Sequence, residues 1–222
     1  MKNLLNFIEG LEPKKTKTNW QAYSTNNTYN DNEKNKKENF ILKYFRNINN
    51  KKILDLGCNN GQYSLLALKK NNFVVGLDFD LNVIDEAYRI SKYKQLNFLP
   101  LYFDASNPST NIGWNNQERK KINDRSNFDI VIALAFKHHL SIAKNIPLKE
   151  AINWITSFAN QGIIEFVPKE DPTIREMLKI KGDIFPFYNY QNFRKILEKN
   201  HFIIDEETIS NSGRTLISFK KK

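Results

Sequence analysis

The sequence predicts an α/β fold: a seven-stranded mixed sheet, five parallel strands closed by a C-terminal antiparallel hairpin, with helices on both faces. Three observations predict it. From Lys51 onward, strand-sized apolar runs alternate with helical patterns, the order that builds a parallel sheet covered on both sides. The opening run, Lys52-Ile53-Leu54-Asp55-Leu56, enters a turn carrying Gly57 and Gly61, and a helical pattern follows. Only Ser210-Asn211-Ser212-Gly213 separates the last two strand patterns, enough for a hairpin and far too little for a crossover.

Taken in order, residues 1–50 read as an N-terminal arm and helix, and 51–222 as the α/β domain. Lys14 to Lys37 is rich in Asn and Lys and has neither helical nor strand periodicity, so it is expected to be a loop or mobile arm. Trp20 and Tyr23 stand within it, either as packing anchors or as a lid over substrate. Glu38 to Arg46 forms a helix with Phe40, Ile41, Tyr44 and Phe45 on one side. Strands follow at 52–57, 73–78, 97–103, 128–135, 162–167, 201–209 and 214–220, with helices at about 62–71, 81–92, 148–160 and 189–199 and a shorter one near 172–180. Asn107 to Asn127 breaks the alternation. Long loops are uncommon unless functional or disordered, and this one leaves the carboxyl edge of the third strand, so it is expected to border the site.

The first turn distinguishes between ligand classes. A dinucleotide fingerprint reads Gly-x-Gly-x-x-Gly, whereas this chain has Asp55-x-Gly57-x-x-x-Gly61. The second strand, Phe73-Val74-Val75-Gly76-Leu77, ends in Asp78, and the third is followed by Asp104 and Ala105. An acid-Gly turn and two acids at successive strand ends resemble the S-adenosylmethionine site of the class I methyltransferases, and the expected sheet resembles that family's Rossmann-like sheet. The resemblance implies roles for several residues. Gly57 and Gly61 let the backbone pass close to the cofactor, and Asp55 orders the turn. Asp78 takes the ribose hydroxyls, Phe79 lies against the adenine, and Asp104 with Ala105 holds the adenine amino group. Asp80 is read instead as the N-cap of the next helix.

The fourth strand ends in Lys137-His138-His139-Leu140. In the family this place faces the transferred methyl group. Neutral imidazole accepts a proton near the working pH, so His138 or His139 is the candidate base, with His138 favoured, and backbone capping is the alternative. No Cys or carboxylate accompanies the pair at ligand spacing, so no metal site is expected. Glu165 lies in the apolar fifth strand and needs a partner or a function: orienting a histidine, binding the polar groups of a substrate, or a salt bridge. His201 is read as structural. Trp114 and Tyr188, with the aromatic run around Phe187, are candidate acceptor contacts alongside Trp20 and Tyr23.

The blocks Trp20-x-x-Tyr23, Asn107-Pro108-Ser109, His138-His139-Leu140 and Glu165-Phe166-Val167-Pro168-Lys169 are also similar to a loosely characterised bacterial set of methyltransferases, near which a nodulation-related protein falls. That set implies no acceptor. The motif Asn/Asp-Pro-Pro-Tyr/Phe is missing after the fourth strand, which argues against an exocyclic adenine or a glutamine as acceptor.

Composition bounds the rest. At 222 residues and 40% hydrophobic, the chain has material for one cored domain. No apolar run approaches membrane-spanning length, and Asn6 and Glu9 interrupt the N-terminal run where a signal peptide needs an apolar centre. The single cysteine, Cys58, fits a reducing cytoplasm. A net charge of +10 invites a nucleic-acid reading, but the lysines are scattered without an Arg-rich stripe. The expectation is methyl transfer to oxygen or nitrogen of a small-molecule or carbohydrate-like acceptor. An RNA or protein methyltransferase using the basic arm, and a non-catalytic cofactor-binding module, are the alternatives.

Overall fold

In the computed structural model, residues 2–11, 30–69, 71–125 and 127–222 are described; Trp20 and Tyr23 lie outside them. The elements run α1 (Lys2–Glu9), α2 (Asp31–Phe45), β1 (Lys52–Leu56), α3 (Gln62–Ala67), β2 (Phe73–Asp78), α4 (Leu81–Tyr93) and β3 (Phe98–Tyr102). They continue with α5 (Ile122–Arg125), β4 (Ile130–Ala133), α6 (Leu148–Thr156), β5 (Gln161–Phe166), α7 (Pro172–Lys181), α8 (Tyr190–Asn200), β6 (His201–Thr208) and β7 (Thr215–Lys221). The seven strands form one sheet in the order β3-β2-β1-β4-β5-β7-β6. β1 to β5 pair in parallel, and β7 joins β5 and β6 antiparallel. Each expected strand is present, and the hairpin closes the sheet as the short connection requires.

Side chains alternate across a strand, so each central strand feeds two cores. Leu54, Leu56, Val131, Ala133, Ile164 and Phe166 face one side, with Ile152 and Ile155 of α6 and Phe193 and Leu197 of α8. Ile53, Val74, Ile130, Ile132 and Ile163 face the other, with Phe40, Ile41 and Phe45 of α2 and Ile84 and Ala87 of α4. α2 therefore shares its core with the sheet across the expected boundary at residue 50. Asp80 caps α4 as expected, its side chain accepting the N–H groups of Asn82 and Val83.

Two local expectations are corrected. The polar stretch up to Lys37 was expected to lack structure, but α2 begins at Asp31. Asn30 accepts the N–H of Glu33, and Glu33 reaches back to the N–H of Asn30, a reciprocal cap that nucleates a helix without apolar periodicity. Between β3 and β4, the long loop expected over 107–127 carries, among its described residues, a one-pair antiparallel bridge (Ile112 with Arg119), a short 3₁₀ turn and α5. His201 is structural: its Nδ1 lies 3.2 Å from the carbonyl of Leu197 at the end of α8.

Candidate active site

β1 pairs with β2 on one side and β4 on the other, the point in an open α/β sheet where the connections diverge and ligands bind beyond the carboxyl ends. A cavity of about 340 Å³ lies there. Its walls come from the end of β1 (Leu56, Gly57), the end of β2 (Leu77, Asp78) and the segments following β3 and β4. Gly57 adopts φ +76°, and a Cβ at that position would stand 2.7 Å from the ring of Phe136, so only glycine fits the turn. Gly61 (φ +90°) starts α3, where a Cβ would meet Phe98 at 2.6 Å; it shapes the turn from behind and does not line the cavity.

Asp78 lines the cavity. Its carboxylate accepts the N–H of Asn59 at 2.9 Å and of Asp80 at 3.1 Å. Burial raises its pKa, and these backbone hydrogen bonds oppose the rise. The backbone of Phe79 is a third donor to it; a carboxylate has about four acceptor positions, so capacity remains for a ligand hydroxyl. Phe79, 53% exposed, and Ala105 continue the wall. Asp104 closes it, bonded through one oxygen to the N–H and hydroxyl of Ser106; that hydroxyl is the main cause holding its carboxyl below the usual range. Asp55 sits behind the turn, 2% exposed, accepting the hydroxyl of Ser64 at 2.6 Å, with burial pushing its pKa up to about 6.

The histidine pair divides differently from the expectation. His139 lines the cavity, whereas His138 is 1% exposed and does not. The backbone beside the pair is unusual: Ala135 takes φ +47° and residues His139–Ala143 form a π-helical turn. Such turns recur at functional sites. The rings pack at 4.1 Å between centroids. Burial first, and then the nearby Arg214 charge, pushes the pKa of His139 down to about 4, so this imidazole is neutral at neutral pH.

Three other candidates lie off the cavity. Glu165 shares a sheet face with Ile163, toward α2, and is fully buried. Its Oε2 accepts Lys37 Nζ of α2 at 2.8 Å, and Arg214 Nη1 stands 3.8 Å from Oε1, which is the salt-bridge reading rather than the catalytic one. Tyr188 is 3% exposed; its hydroxyl accepts from Lys137 Nζ at 2.9 Å and donates to the carbonyl of Val167 at 2.8 Å. It packs the core instead of meeting an acceptor. Trp114 is 86% exposed, and of the segment after β3 only Phe103 to Ser106 reaches the cavity.

Sequence reasoning missed Asn59, Phe136, Lys144 and Met177 as cavity residues. Asn59 was legible: it adopts φ +49° inside the glycine turn, a conformation asparagine tolerates. Met177 comes from α7 and carries no local signal. Among the described residues, no group of three or more His, Cys, Asp or Glu is placed to hold a metal ion.

The donor set fits an adenosyl group: a mostly apolar cavity, an exposed aromatic ring, and carboxylates after two neighbouring strands. Comparison with known proteins agrees on the architecture. Magnesium protoporphyrin IX methyltransferase from Synechocystis PCC 6803, solved with bound SAH, superposes with a TM-score of 0.61 at 18% identity, covering 91% of this chain and 93% of that one. The N-methyltransferase NodS from Bradyrhizobium japonicum WM9 gives 0.61 at 13% identity, covering 86% and 98%. The chain has the class I methyltransferase fold. In sequence, this methyltransferase-fold chain is similar to nodulation protein NoeA of Rhizobium meliloti (strain 1021), 41% identical over 220 residues. The match covers 98% of this chain and 46% of NoeA, so the chain spans about half the length of that relative. No family model matches the methyltransferase-fold chain.

Proposed function

We propose that the chain is an S-adenosylmethionine-dependent methyltransferase acting on oxygen or nitrogen of a small-molecule or carbohydrate-like acceptor. The observation that supports this best is the convergence of Gly57, Asp78 and Asp104 on one cavity at the carboxyl edge of the sheet. Bound there, S-adenosylmethionine supplies a methyl group already activated on a sulfonium. The chain's own work is to bind and orient. Asp78 would accept from the ribose hydroxyls, Phe79 would lie against the adenine, and Asp104 would accept from its amino group. Gly57 lets the turn approach. His139 is the base: neutral and on the cavity wall, it takes the acceptor's proton on a ring nitrogen. Holding the acceptor in line contributes up to ~7–11 kcal/mol in favourable systems, and general base assistance about 10²–10⁴-fold.

Calorimetric titration with S-adenosylhomocysteine tests the reading. The unmodified chain is expected to bind, and Asp78→Ala to weaken binding by roughly tenfold or more, since a charge-assisted hydrogen bond is worth ~1.5–3 kcal/mol. The circular dichroism spectrum should be unchanged. Equal affinity in the two proteins sinks the assignment of Asp78 and the adenosyl site with it.

A further inference from the structure

Among the described residues, three buried side-chain atoms without a hydrogen-bond partner belong to the segment after β4: Nδ1 and Nε2 of His138 and Oγ of Ser141. His138 is 1% and Ser141 3% exposed, and they stand three residues apart, flanking and within the π-helical turn. Buried polar atoms are normally paired. Leaving one unpaired carries its full desolvation penalty, and an apolar side chain of the same shape avoids it. An imidazole and a hydroxyl kept here mark a place built to receive hydrogen bonds from something outside the fold. The ring of His138 packs on that of His139, which lines the cavity, and Leu140 and Ala143, before and after Ser141 in the chain, line it too.

The surrounding charges specify the ligand. Lys37 is paired with Glu165 at 2.8 Å, and Arg214 holds Asp171 through two hydrogen bonds of 2.6 and 2.8 Å. Lys137 is enclosed by Phe166, Tyr188 and Phe193, 4.0, 4.5 and 5.0 Å from its Nζ. Lys144, on the cavity wall, acts at the other end, where its charge helps hold the Asp104 carboxyl down. Lys37 and Arg214 are thus matched to carboxylates, and Lys137 is held by the Tyr188 hydroxyl at 2.9 Å and the rings around it; an ionised ligand group would have to be desolvated here at low dielectric. A neutral imidazole offers one donor and one acceptor, and so does a serine hydroxyl; their complement is an uncharged hydroxyl, which also donates and accepts.

We propose that His138 and Ser141 form a recognition subsite for the hydroxyl groups of a neutral polyhydroxylated acceptor, a sugar ring or polyol, adjoining the one that His139 deprotonates. The proposal rests on the methyltransferase reading and narrows its acceptor class. His138 and Ser141 are buried in the structure, so the acceptor must reach them past His139 and Leu140, which line the cavity.

The test uses tritiated S-adenosylmethionine and a panel of methyl glycosides of neutral hexoses, hexose 6-phosphates and hexuronates, with His138→Phe and Ser141→Ala beside the unmodified chain. Methyl incorporation is expected in the neutral glycosides. It should fall about tenfold or more in His138→Phe and less in Ser141→Ala, as a missing hydroxyl contact implies. The melting temperature should hold or rise in both variants, because an unpaired buried polar group is gone, and affinity for S-adenosylhomocysteine should be unchanged. Three results overturn the proposal: preference for the phosphates or hexuronates, full transfer by both variants, or no transfer to any neutral glycoside by a chain that binds S-adenosylhomocysteine. A lower melting temperature in both variants also overturns it, by showing that their polar atoms serve the fold. Failure of the unmodified chain to bind S-adenosylhomocysteine takes down the methyltransferase reading itself.

Discussion

His138 and His139 are adjacent in sequence and have different environments. Both are desolvated, but only His139 opens on the cavity. In the proposed role of base, a pKa of about 4 leaves His139 almost wholly unprotonated at neutral pH and makes it a weaker proton acceptor than free imidazole. His139→Gln should therefore lower kcat by about 10²-fold or more while leaving affinity for S-adenosylhomocysteine intact. The acid limb of kcat/KM in the unmodified chain should lie near pH 4 rather than the 6.5 of free imidazole. A limb at 6.5, or a His139→Gln variant with unchanged kcat, assigns the proton transfer to another group. At this scale the sequence located the pair and could not choose between its members, because the choice depends on how the segment after β4 packs against the rest of the fold.

Among the elements, α2 is tied to the sheet by more than its apolar face. Lys37 and Glu165 are both essentially unexposed; burial lowers the pKa of Lys37, and Glu165 opposes that effect. Removing one member of a buried pair strands the other charge, which costs ~3–5 kcal/mol, whereas replacing both with apolar groups is often neutral. Urea unfolding should show Glu165→Leu destabilised by about that amount and the Lys37→Met/Glu165→Leu double variant restored to within about 1 kcal/mol of the unmodified chain. A single variant as stable as the unmodified chain excludes the tie. Glu165 was conspicuous in the sequence as a carboxylate in an apolar strand; its partner, 128 residues away, was not. Lys37 looked like one more lysine in a polar arm, and only its place on the inner side of α2 gives it a role.

Considering the whole molecule, buried groups set a pH dependence of stability with opposing contributions. His139 titrates near 4 folded and near 6.5 when unperturbed. Between those values the unfolded chain binds the extra proton, so the stability His139 contributes is present above 6.5 and lost as pH falls toward 4, about 3 kcal/mol at most. His138, also pushed down by burial, adds in the same direction. Asp55 works against them: about 6 folded against 3.8 unperturbed, its contribution is present below 3.8 and lost as pH rises through 6. Denaturant titrations across this range should show net loss of stability on acidification, with a shallower slope in His139→Gln and a steeper one in Asp55→Asn. Slopes that do not change in these variants refute the assignment. No helix among the described residues is long and apolar enough to cross a membrane.

The sequence by itself determined the strands, the hairpin closure, the glycine turn and the acids that end β2 and follow β3. These are written locally, in periodicity of two residues, in turn chemistry and in short spacings that act before any distant contact forms. The tertiary structure alone decided which histidine meets the cavity, that Glu165 answers to Lys37, that Tyr188 braces Lys137, and that Met177 completes a wall. Each of those depends on side chains brought together from far apart in the chain, and a linear pattern does not carry that.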